Sequence, residues 1–152
     1  MISKKLVIFL ISWIIENTEY KEEIKYPIFS VLSSSEMSEK ACFSAKKCKV
    51  KAFYHREEET VFYVDELKPE EKICDLSIIL HEIVHHYQKN ENRNYDLDQE
   101  TIWSLREKQA MYYQNLFLIS QKRKNKNIGP ENIVQCQGGS YLDLQYKYNN
   151  SN

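Results

Sequence analysis

His81-Glu82-Ile83-Val84-His85 is the stretch whose residue types and spacing together specify a chemistry. On a helix, residues four apart lie on one face, so the two imidazoles point the same way at a separation that one metal ion can bridge. Glu82 sits one position further round, beside such an ion and not on it. A carboxylate there can take a proton from water whose pKa zinc has lowered toward ~7. With 4 His in 152 residues, the five-residue pattern arises by chance in roughly a few chains per thousand. Its neighbours Ile78, Ile79, Leu80, Ile83 and Val84 are those of a buried helix, where two imidazoles and a carboxylate without a common partner would be costly.

Two histidines and a water leave zinc short of one protein ligand. An extended motif would supply a histidine six residues after His85 and a glycine three after it; those positions are Glu91 and Gln88, which excludes it. The alternative is a carboxylate from the next helix, Glu100 or Glu107. If the first helix ends near Asn90, the midpoint of His81 and His85 lies ~10 Å back from that end; in an antiparallel partner starting near Asp98, Glu107 lies ~13 Å along and Glu100 only ~3 Å. Glu107 matches the height. It also shares an apolar stripe with Trp103, Ala110 and Met111. Glu100 is left as a group able to orient an imidazole N–H.

Two antiparallel helices must therefore position the site. Leu76, Ile79, Leu80, Ile83, Val84 and Tyr87 predict the first over about 75–89, introduced by Pro69 and closed by the polar run 90–94. Asp96 with Gln99 predicts a capping box that opens the second, which extends to about 122. Upstream, 28–32 has the pattern of a strand, Ser34 or Ser35 can cap a short helix to about Phe43, and 49–54 with 60–64 form a β-hairpin around the charged turn 56–59. Lys122, Arg123, Lys124 and Lys126 offset a helix dipole, and a short strand or packed tail is expected from Gly138. The fold class is α+β: a short sheet, hairpin plus one further strand, packed on the site helix and its antiparallel partner. His86 points about 100° away from His85 and is assigned to packing or surface. His55, at a strand end, has no catalytic role. Tyr112, Tyr113 and Tyr141 are equal candidates to stabilise an oxyanion.

The pattern His81-Glu82-x-x-His85 followed by Glu107-x-x-Ala110 resembles the gluzincin branch of zinc metallopeptidases, in particular its small single-domain bacterial members. The likeness covers about residues 28–120 and includes a β-hairpin ahead of the site helix. It implies a zincin-like domain that binds Zn2+ through His81, His85 and Glu107. It also implies hydrolysis of a peptide or protein substrate by metal-activated water, with Glu82 as general base. The strand 60–64 is the expected edge of the cleft, where an extended substrate backbone could pair. No sizeable second lobe follows Glu107, so the wall that larger relatives use for the far side of a substrate is missing. Two other classes compete. A non-catalytic, zinc-stabilised binding or inhibitory module would have no use for Glu82 and would close the fourth position with protein. A metal-free helical adaptor would require the five-residue pattern to be accidental.

Composition narrows the field. The length of 152 residues suits one domain, and 42% hydrophobic with 28% charged residues is enough apolar mass for a core. With 21 basic against 22 acidic residues, a net charge of −1 argues against nucleic acid as a partner. Only 3 Gly and 3 Pro make a turn-rich barrel or a phosphate-cradling loop a poor fit. Lys4 and Lys5 ahead of the apolar run 6–15 read as a signal peptide or N-terminal anchor over 1–18, leaving 19–152 as a single domain; a buried first helix is the other alternative. The expected location is periplasmic or secreted, with membrane contact only if that segment is uncleaved. Four cysteines fit an oxidising compartment: Cys42–Cys48 is the favoured pair, while Cys74 and Cys136 are either a second disulfide or buried thiols. Nothing in the composition specifies an oligomeric state.

Overall fold

The computed structural model describes residues 1–20, 24–43, 48–91, 97–124 and 136, with side chains as far as 121 in the last helix. The elements run α1 (Lys4–Asn17), β1 (Ile28–Leu32), α2 (Ser34–Cys42), β2 (Ala52–His55), β3 (Thr60–Val64), α3 (Ile73–Asn90) and α4 (Gln99–Lys124). The α+β expectation holds at that level, with a three-stranded mixed sheet in the order β1-β3-β2. β2 and β3 form the antiparallel hairpin, Phe53 opposite Phe62, and β1 lies parallel to β3, Ile28 opposite Thr60. The hairpin turns through four residues, and Glu59 takes the left-handed conformation (φ 49°) that returns the chain to β3.

β3 is the central strand, and all five of its residues are buried. That corrects the expected cleft edge at 60–64: the strand with a free side toward the site is β2. The reason lies in Thr-Val-Phe-Tyr-Val, a continuous run of β-formers suited to burial on both faces. Phe62 faces α2, with the Lys40 ammonium 4.4 Å from its ring centroid. Tyr63 faces the other way, its hydroxyl accepting from the Ile2 N–H at 2.8 Å.

Local signals explain the helix starts. α2 is capped by Ser33, not Ser34 or Ser35, because Glu36 three residues on completes a capping box: the Glu36 N–H donates to Ser33 Oγ, and the Ser33 N–H donates to the Glu36 carboxylate at 2.7 Å. α3 begins at Ile73, after a turn over Pro69–Glu71. For α4 the cap is Asp98, whose carboxylate accepts from the Thr101 N–H at 2.9 Å and from its hydroxyl at 2.6 Å. The expected cap Asp96, the cationic side chains of 122–126 and the segment from Gly138 onward lie outside the described residues.

The core gathers one face of each helix onto the sheet. α1 contributes Val7, Leu10, Ile11 and Ile14, spaced i, i+3, i+4, i+7. Trp13 adds an edge-on contact with Phe117 at 5.3 Å and donates from Nε1 to Ser120 at 3.0 Å. The apolar N-terminal run is thus built into the core, and among the described residues no helix is long and apolar enough to cross a membrane. α3 and α4 are antiparallel: Ser77 meets Gln114, His85 meets Glu107 and Gln88 meets Arg106. Both cysteine pairs are disulfides, Cys42–Cys48 after α2 and Cys74–Cys136 across the start of α3. Two such bridges point to an oxidising, extracytoplasmic compartment.

Candidate metal centre

α3 carries His81, Glu82 and His85 in its buried middle, and α4 brings Glu107 to the same height. Leu80, Ile83 and Val84 pack into the core on one side of α3 and leave the 81/85 row facing α4. The His81, His85 and Glu107 side chains converge. His81 Nε2 and His85 Nε2 are 3.1 Å apart, His85 Nε2 is 3.1 Å from Glu107 Oε1, and His81 Nε2 is 3.4 Å from Glu107 Oε2. A tetrahedral zinc ion with bonds of about 2.0–2.1 Å holds its ligands about 3.3 Å from one another. The observed separations are therefore those of three corners of such a tetrahedron. Two imidazole nitrogens and a carboxylate are also the donor set of open zinc sites, which leave the fourth corner to water or substrate. Among the described residues, His81, His85 and Glu107 are the group of metal-binding side chains close enough to hold an ion.

The electrostatics fit a cation at that point. Burial alone would raise Glu107, but its hydrogen bonds with His81 and His85 hold it well below the usual carboxylate range, so it is an anion. Burial draws His85 down, and its hydrogen bond to Glu107 together with the charge of Glu82 more than reverses that, leaving it above its ordinary value. Glu82 is 7% exposed. Burial pushes its carboxyl up, while His81 and His85 and a hydrogen bond from the Tyr54 backbone pull the other way. A carboxylate raised above its ordinary value, beside a cation site, is suited to accept a proton and then release it.

The site opens into a cleft of about 790 Å³, within the range of small-ligand and peptide pockets. Phe53 and Tyr54 of β2 form one wall, Trp103 and Met111 of α4 another, and His81, Glu82, His85 and Glu107 lie between them. Among the described residues β2 pairs with β3 on one side only, and its Phe53 and Tyr54 border the cleft.

Other candidates fall elsewhere. Glu100 is exposed in the first turn of α4, and the group that meets an imidazole is Gln88, with Oε1 2.7 Å from His85 Nδ1. Sequence reasoning missed it, although Gln88 stands three residues after His85 and hence on the same helix face. Tyr112 is 63% exposed and Tyr113 is buried against Tyr20, so neither lines the cleft, and Tyr141 lies outside the described residues. The tyrosine at the cleft is Tyr54, whose hydroxyl is pushed up to about 12 by burial and the charge of Glu59. That hydroxyl is 2.8 Å from Nδ1 of His86, a packing residue that is 1% exposed. His55 is occupied in the hairpin turn, where Nδ1 accepts from the Glu58 N–H at 3.2 Å.

The chain belongs to the family described as domain of unknown function (DUF6647), whose model matches residues 2–123. The matched span includes α1, the sheet and all three converging side chains. No curated protein and no solved structure matches the chain.

Proposed function

We propose that the protein is a zinc-dependent hydrolase of peptide bonds, a periplasmic or secreted metallopeptidase of the gluzincin kind. The observation that carries this is the convergence of His81, His85 and Glu107 at tetrahedral spacing with the buried Glu82 carboxylate alongside. His81, His85 and Glu107 would hold the ion. When bound, it supplies Lewis acidity, which lowers the pKa of water and polarises a carbonyl. Glu82 takes the proton from the attacking water and passes it to the departing amine, a shuttle that its raised pKa favours. The Tyr54 backbone N–H keeps that carboxylate in place. β2, the outer strand beside the cleft, is placed to run alongside an extended substrate backbone, so polypeptide is the natural occupant of the cleft.

The test is a pair of measurements on the zinc-loaded wild type and Glu82→Gln: bound zinc per chain, and cleavage of a mixture of fluorogenic peptides. The expected result is equal zinc in both, with cleavage by the variant about 10²–10⁴-fold slower. A wild type that holds zinc, cleaves nothing and refuses a zinc-chelating hydroxamate, as a closed fourth position requires, would instead support a zinc-stabilised module.

A further inference from the structure

We propose that Gln88 is a positioning residue for His85, and that a chain of hydrogen bonds running from Glu19 fixes it in that role. This rests on the metal-centre reading above and adds to it how one ligand is aimed. The direction of the chain follows from groups that can only accept. The Gln88 amide nitrogen donates to the Arg106 carbonyl at 2.9 Å and to Gln109 Oε1 at 2.8 Å. Both of its hydrogens are then committed. Turning the amide over would set its oxygen against a carbonyl oxygen, so Oε1 must be the atom that faces His85 Nδ1 at 2.7 Å. An amide oxygen only accepts, so Nδ1 carries a proton and Nε2 is the nitrogen turned to Glu107 and His81. In the metal-free protein Nε2 donates to the Glu107 carboxylate; a metal ion would take the place of that proton and find Nδ1–H already fixed, as a ligand ring needs.

Gln109 is held by the same logic. Its nitrogen donates to the Glu19 carboxylate at 2.5 Å, and its oxygen accepts from both Tyr20 Oη, at 2.8 Å, and Gln88. Glu19 accepts only, so it sets Gln109, which sets Gln88, which sets His85. Gln88 is 2% exposed and Tyr20 is 5% exposed, so water has little access to compete at the inner end. The segment that follows α1 is therefore part of how the ligand is oriented, though it lies far from the site in sequence.

The experiment uses the full chain. In the metal-free protein, ¹⁵N shifts of the His85 ring report which of its nitrogens carry protons; zinc affinity follows by competition with a chromophoric chelator. Wild type should show a protonated Nδ1. Gln88→Leu should populate the Nε2–H form and weaken zinc binding by about 10–100-fold. Gln109→Leu, at a half-buried position and with the Arg106 carbonyl still holding Gln88, should move both readouts the same way but by less. An unchanged Nδ1 proton together with a zinc affinity within twofold of wild type would overturn the proposal. If Gln88→Leu does not fold, the same outcome in Gln109→Leu decides it. A wild type that binds no zinc would remove the metal reading, while the ring shifts still judge the relay.

Discussion

His85 and His86 are neighbours on α3 and use the same ring in opposite ways. His85 carries a proton on Nδ1, toward Gln88, and turns Nε2 to the site. His86 has Nε2 2.6 Å from the Lys25 carbonyl, which can only accept, so the proton is on Nε2 and Nδ1 accepts from the Tyr54 hydroxyl at 2.8 Å. The first ring borders a cleft and is surrounded by carboxylates; the second is sealed between β2 and the approach to β1. Their ionisation follows: His85 is held above its ordinary value and His86, by burial, below it. A turn of about 100° along one helix separates a candidate ligand from a structural pin.

The largest effects should come from removing each ring in turn. His85→Ala should weaken zinc binding on the order of 10²–10³-fold, one ligand's share of the 10–16 kcal/mol of a four-ligand site. It should cost the metal-free fold less than His86→Ala does. His86→Ala strands a buried hydroxyl and a carbonyl and leaves a cavity, so it should lower unfolding free energy by about 2–4 kcal/mol while zinc affinity stays within a few-fold. Urea unfolding and chelator competition on both variants check the crossing. If His86→Ala lost zinc as fully as His85→Ala, the division between the two rings would collapse.

A smaller, subtler contrast is in pH. For His86 the folded value lies below the ordinary 6.5, so the unfolded chain binds the extra proton. The neutral ring's contribution is present above that pH and is lost as pH falls. Burial is the main cause; Lys89 and Lys25 push the same way, and the hydrogen bond to the Lys25 carbonyl and the charge of Glu59 oppose. His85 has the reverse sign in the metal-free protein. Its folded value lies above 6.5, so its contribution is full below that pH and fades as pH rises through the folded value. Between pH 7.5 and 5.5, the urea midpoint of metal-free His86→Gln should therefore fall less than that of wild type, and that of His85→Gln should fall more. Equal slopes in all three proteins would show that the rings do not differ in this way.

Much of the ligand side of this contrast was legible in the sequence, and less of the structural side. The i, i+4 histidines and the height of Glu107 follow from the rise of a helix, which is local geometry, and the structure brings those three groups together. That His86 would stay off the site followed from its angle alone, but that it is packed and not on the surface, with partners Tyr54 and Lys25, depends on where β2 and the approach to β1 come to lie. Gln88 was visible as a position and not as a role, since the groups that orient it come from α4 and from Glu19. The edge of the cleft was misplaced for a related reason. The segments 49–54 and 60–64 are both β-prone, and only the parallel pairing of β1 with β3 decides that β2 is the outer strand. Apolar residues 7, 10, 11 and 14 carry the helical stripe of a packed element, yet a run of that length and charge also fits a leader, so composition weighs the same in both cases.

The smallest expected effect tests whether the two regions are separable at the residue they share. Tyr54 serves His86 through its hydroxyl and Glu82 through its backbone. Tyr54→Phe removes only the first, leaving His86 Nδ1 a buried acceptor without its donor, which should cost about 1–2 kcal/mol in urea unfolding. The strand is still held by its pairing with β3, so the N–H that holds Glu82 should not move. Zinc affinity and peptide cleavage should then stay within about threefold of wild type, since no interaction at the metal or the base has been lost. A cleavage rate at least tenfold lower with unchanged zinc affinity and stability would mean that the phenol itself acts in the cleft. In that case Tyr54, and not the main chain alone, would have to be counted among the groups that meet the substrate.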